Sequence, residues 1–120
     1  MSESDTANVG LSEKMHFKLS QMKEEGVFNE MKDGYRLAIA TAIFHNIDSS
    51  NIELVQRKNM YDVGGIDEGG MIKSAIRLKY PSFEGQEYKL MEKLAEAGMQ
   101  FLDEKTGFDT VIEPNNILKK

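Results

Sequence analysis

From Tyr35 to Phe44 the chain carries a single charge, Arg36, among alanines, isoleucines, a leucine and two aromatics. A helix of that composition has no polar face to give to water. It must lie between packing partners or against another subunit. Its alanines permit close approach of a second helix. Ala38, Thr41, Ala42 and Phe44 are therefore expected in the core or at a subunit contact. Asp33 is the candidate N-cap, and His45 with Asn46 ends the helix. Arg36, isolated in apolar surroundings, calls for an ion-pair partner, with Asp33 and Glu30 nearest in sequence.

The flanking segments read as follows. Met1 to Asp5 is a loose acidic tail, unlike a signal peptide. Residues 6–11 alternate, with Ala7, Val9 and Leu11 on one face of a strand and Thr6, Asn8 and Gly10 on the other. Ser12 caps a helix whose apolar stripe is Met15, Leu19 and Met22, and Gly26 closes it in the left-handed conformation. Ile47 to Asn59 is irregular, and Met60 to Val63 is a short strand or an ordered loop. Asp67 caps a third helix from about Met71 to Tyr80, stopped by Pro81. A fourth runs from about Gln86 to Lys105, with Leu90, Met91, Leu94, Gly98, Phe101 and Leu102 as its stripe. The remaining residues form a tail with Val111 and Ile112 as docking candidates.

At 120 residues with 40% hydrophobic and 29% charged side chains, one modest core and one domain are expected. The absence of cysteine excludes disulfides, a thiolate nucleophile and cysteine-based zinc sites. No apolar run approaches the roughly 20 residues of a membrane span. The expected location is cytoplasmic. The net charge of −5 argues against DNA binding by bulk electrostatics. A phosphate-facing patch would have to be local, from Arg57, Lys58, Lys73 and Arg77.

No constellation for catalysis emerges. No serine sits in a strand–turn–helix elbow, and the two histidines, His16 and His45, read as flank and capping residues. Asp62, Asp67 and Glu68 lack the spacing of a calcium loop. Gly64 to Ser74 lacks the Gly-Lys-Ser/Thr of a phosphate loop. No cofactor and no metal are expected. The eight methionines serve as flexible core fillers or a contact surface.

A strand ending at Ser12, a helix closed by Gly26 and a second helix from Asp33 together resemble the ribbon–helix–helix family of DNA-binding proteins. The resemblance implies two chains pairing their first strands into a ribbon that enters the major groove. Thr6 and Asn8 would then meet bases, with Gly10 giving clearance. The N–H groups near Lys32, Asp33 and Gly34 would meet a phosphate. Val9, Leu11, Leu37, Ala38, Thr41 and Phe44 would line the oligomer interface. Residues 22–29, 33–39 and 93–102 are also similar to small proteins associated with DNA phosphorothioation (Dnd) systems. An ordinary helical hairpin over residues 11–46 is the plainer alternative.

The expected fold is mainly α: a ribbon–helix–helix-like N-terminal half followed by two further helices. The single domain of 1–120 divides into the core 6–46, an irregular connector 47–70, a helical pair 71–106 and a tail 107–120. The expected function is a non-enzymatic accessory protein of a bacterial DNA-modification or anti-phage defence system, binding double-stranded DNA as a homodimer or higher homo-oligomer. The alternative is an interaction subunit that docks a larger defence protein without touching nucleic acid, through Met15, Phe17, Met31, Met60 and Tyr61.

Overall fold

A computed structural model describes residues 5–54 and 57–106. The chain is mainly helical with one two-stranded sheet. In order it forms β1 (Asn8–Ser12), α1 (Glu13–Glu24), α2 (Met31–Phe44), β2 (Arg57–Asp62), the single turn α3 (Val63–Ile66), α4 (Met71–Lys79) and α5 (Glu87–Thr106). Short 3-10 turns, Glu68–Gly70 and Pro81–Phe83, precede α4 and α5. Among the described residues no helix is long and apolar enough to cross a membrane.

The caps of α1 fall where the sequence puts them. The Ser12 Oγ accepts from the Met15 N–H at 3.3 Å. At the other end Gly26 adopts φ +84°. Its N–H donates to the Lys23 carbonyl, and the Val27 N–H donates to that of Met22. These two bonds are a Schellman closure, which needs a left-handed residue at this position. α2 begins two residues before its expected cap: Glu30 holds the cap position without a side-chain bond. Asp33 instead sits in the first turn, where the helix dipole favours its charge. Gly70 holds the cap position of α4, and the Asp67 carboxylate, the expected cap, reaches past it to accept from the Ile72 and Lys73 N–H groups at 2.8 and 2.9 Å.

β1 does not wait for a second chain. It pairs antiparallel with β2 of its own chain, Asn8 opposite Asp62 and Ser12 opposite Arg57. A register shift between Val9 and Gly10 marks a β-bulge. The far edge of β1 is also taken. The Gly10 N–H donates to Glu92 Oε2 at 2.8 Å, the Ser12 N–H to Glu96 Oε1 at 2.9 Å, and the Tyr35 hydroxyl to the Gly10 carbonyl at 2.9 Å. Side chains of α2 and α5 thus stand where a partner strand would. Val9 and Leu11, expected at an oligomer interface, are fully buried inside the chain.

Two further expectations change. The connector 47–70 is not irregular throughout, since it contributes β2 and α3. Asp5, expected in a loose tail, is fixed instead: its carboxylate accepts from the Tyr88 and Lys89 N–H groups at 2.8 and 2.9 Å, while residues 1–4 lie outside the described residues. The tail 107–120, with Val111 and Ile112, lies outside the described residues.

The core is built where α5 crosses α2. A Cβ placed on Gly98 would lie 1.9 Å from the Ala38 carbonyl oxygen, so the two backbones touch. Around that crossing Tyr35, Ile39, Ala42, Leu94 and Met99 are sealed, with Leu19 and Met22 of α1 joining from one side. A partly buried ion pair, Lys18 with Asp103 at 3.4 Å, ties α1 to the end of α5.

Candidate interaction surface

The residues proposed from sequence to meet DNA are largely engaged within the chain. Thr6 donates through its hydroxyl to the Asn8 carbonyl at 2.8 Å, so the two stabilise each other at the start of β1. Arg57, at the opposite end of the sheet, donates to Glu92 at 2.7 Å. Arg77 on α4 donates through Nε to Glu87 at 2.8 Å. Lys73 lies over the Tyr88 ring, 5.5 Å from its centroid. The Lys58 side chain is outside the described set. The N–H groups of Asp33 and Gly34, suggested as a phosphate seat, already donate to the Glu30 carbonyl.

The carboxylates that hold these arginines escaped the sequence reading. Glu87, Glu92 and Glu96 are all buried on α5. Burial pushes the Glu92 carboxyl above its ordinary range, against the pull of the Gly10 N–H and the Arg57 guanidinium. Burial works the same way on Glu87, but Arg77 and the Gly85 N–H outweigh it and leave that carboxyl low. Burial also raises the Tyr35 phenol, reinforced by the charges of Glu92, Tyr61 and Glu96. Each acid is engaged by structural donors: Glu92 by Gly10 and Arg57, Glu96 by both polar groups of Ser12, Glu87 by Gly85 and Arg77. The arrangement fastens β1 and α4 to α5. Among the described residues no three metal-ligating side chains converge.

The apolar surface lies elsewhere than the expected docking set. Met15 is in the core, and Met31 and Tyr61 pack against it. Phe17 alone of that set is exposed, and the Met60 side chain is outside the described set. The exposed apolar residues instead concentrate on α2 and α4. On α2, Leu37 is 40% and Phe44 81% exposed; on α4, Met71 is 78% and Leu78 85% exposed. Between the helices runs a groove of about 190 Å³, walled by Arg36, Ala40 and Ile43 on one side and Met71, Ile72 and Ala75 on the other.

The groove follows from the local sequence. Met71, Ala75 and Leu78 recur at spacings of four and three and line one side of α4. Ile72 and Ile76 turn further inward, Ile76 being fully buried. On α2, Ala38 and Ala42 are sealed against α5, which leaves Leu37, Ala40 and Phe44 outside. Of the interface residues expected there, Ala38 is therefore core, Thr41 is half-buried and bonded to the Leu37 carbonyl, and Leu37 and Phe44 are exposed. Arg36 sets one end of the groove. Its Nε and Nη2 donate to the Ile66 and Gly65 carbonyls at 2.8 and 2.9 Å, and its Nη1 pairs with Asp33 at 3.2 Å. The expected Asp33 ion pair is present, and the two carbonyl bonds tie α2 to α3.

Comparison of the chain with protein-family models, with curated proteins and with solved structures found no match.

Proposed function

We propose that the protein is a non-catalytic interaction module whose α2–α4 groove receives an acidic amphipathic helix of a larger protein. The apolar groove, flanked by four exposed or half-exposed large hydrophobics, carries this reading. Charge selects the partner. Arg36 and Arg77 are neutralised by Asp33 and Glu87, and among the described residues Lys73, over the Tyr88 ring, and Lys79, bonded to the Asn46 side chain, have no carboxylate partner, so the excess charge of α4 is positive. This is the reverse of a chain whose net charge is −5. A partner helix with apolar anchors on one face and acids beside them matches both features. The same basic bias on two copies would repel, so a second copy fits this face less well.

Duplex DNA is the other partner that the sequence suggests. Two of its candidate phosphate contacts, Arg57 and Arg77, are engaged by buried carboxylates, so docking to protein is favoured. The test is fluorescence polarisation with a labelled Leu/Glu amphipathic helical peptide. Saturable binding that Ala40→Glu and Met71→Glu each weaken by about tenfold or more supports the reading. Equal binding of a Leu/Lys peptide, or no peptide binding alongside salt-sensitive binding of duplex DNA, overturns it. Concentration-dependent dimerisation abolished by Met71→Glu also overturns it, assigning the groove to a second copy.

A further inference from the structure

A second concavity, of about 240 Å³, shares no lining residue with the α2–α4 groove. Its roof is the turn after α2, residues 46–50, and its floor is formed by Tyr80, Phe83 and the first turns of α5. We propose that it binds a small monocarboxylic acid with a short apolar or aryl body.

Two polar groups with no protein partner among the described residues, on Ser49 and Lys93, line this cavity. Ser49 is only 7% exposed, yet its hydroxyl makes no hydrogen bond; its backbone carbonyl alone is used, by the Ile52 N–H. The Tyr80 hydroxyl is sealed from solvent and unbonded. Lys93, half-buried on α5, has no carboxylate partner. The Ser49 hydroxyl and the Lys93 ammonium can both donate to a ligand in the cavity, whereas the sealed Tyr80 hydroxyl lies behind its wall. Asp48, the one acid in the lining, is turned to its own loop: its carboxylate accepts the Ser50 N–H at 2.9 Å, which holds it below its ordinary range. It does not neutralise Lys93.

The rest of the wall is apolar, from Ile47, Phe83 and Leu90. One cation beside a hydroxyl donor suits a single negative charge shared by two oxygens, and a phosphate dianion would need more positive charge. A volume of 240 Å³ lies below the usual range for drug-sized ligands, about 300–1,000 Å³, so the body is small. The carboxylate sits at Lys93 and Ser49, and the apolar body lies on Ile47 and Leu90.

The test is a titration of the full chain with sodium benzoate, followed by amide NMR shifts, with benzamide as the uncharged isostere. Benzoate is expected to move the Ser49, Ser50 and Lys93 amides saturably, and benzamide is not. Lys93→Met should weaken benzoate binding by about tenfold or more, the effect of losing one charge-assisted contact, whereas Lys93→Arg should retain it. Ser49→Ala removes a hydroxyl with no protein partner, so it should leave the remaining spectrum unchanged and weaken binding several-fold. Non-saturating shifts, equal response to benzamide, or benzoate affinity unaltered in Lys93→Met would each overturn the proposal.

Discussion

Glu96 accepts from the Ser12 N–H at 2.9 Å and from its hydroxyl at 2.6 Å, and it is 2% exposed. Truncation to alanine leaves both donors facing apolar surroundings. Glu96→Ala is expected to lower stability by about 2–3 kcal/mol in urea denaturation. Tyr61 and Tyr88 give a second test. Burial raises each phenol to about 12, and at Tyr88 the hydrogen bond to Asp67 adds to it. The unfolded value is about 10. A raised folded pKa means that the contribution is complete below pH 10 and is lost as pH rises from about 10 to 12, because the unfolded chain releases its proton first. Tyrosinate absorbance and loss of helical circular dichroism should therefore rise together in that window. Tyrosinate forming near pH 10 with the helices intact would contradict the burial. Arg77→Ala tests the opposite sign. Arg77 holds the buried Glu87 carboxyl low, so the variant should be weaker at neutral pH. The gap from the parent should narrow as acid protonates Glu87 in both. A gap independent of pH would show that Arg77 acts through packing alone.

At the scale of elements, the α2–α5 crossing is the tightest joint. Gly98→Ala drives a methyl group into the Ala38 carbonyl, 1.9 Å away. An overpacking cost of about 3 kcal/mol, or failure to fold, is expected from thermal unfolding. A loss below about 0.5 kcal/mol would show that the helices can slide apart. The sequence makes much of this level legible. The Ser12 cap, the Gly26 closure, the Asp67 bonds to the start of α4 and the Pro81 stop are local chemistry, and each acts within a few residues of itself. The α2 alanines announce close packing, and Gly98 meets them. Hidden from the same reading were Asp5 at the start of α5 and the three buried glutamates. Their partners lie roughly 80 residues away for Asp5 and for the β1 bonds of Glu92 and Glu96. No local pattern marks an acid as buried, because burial is decided by the fold around it.

For the whole molecule, the strand partner was the principal correction. Alternation in residues 6–11 signals a strand, but it cannot say which strand completes it. Of β2 the sequence signals a strand or ordered loop only from Met60 onward and reads Arg57 to Asn59 as irregular, because the segment carries polar side chains and lacks a clear alternation. The apolar character of α2 was legible; its division between a core side and an exposed side depends on where α4 and α5 lie. Leu78 offers a test of that division. At 85% exposure, Leu78→Ser should change stability by less than about 0.5 kcal/mol while reducing binding of a hydrophobic dye. Greater destabilisation would mean that Leu78 is covered in solution. The tethering of Asp5, Gly10 and Ser12 to α5 also governs the order of events at the ribosome. β1 leaves the exit tunnel well before its glutamate acceptors on α5 have been translated. Val9 and Leu11 must therefore stay uncovered until α5 has emerged.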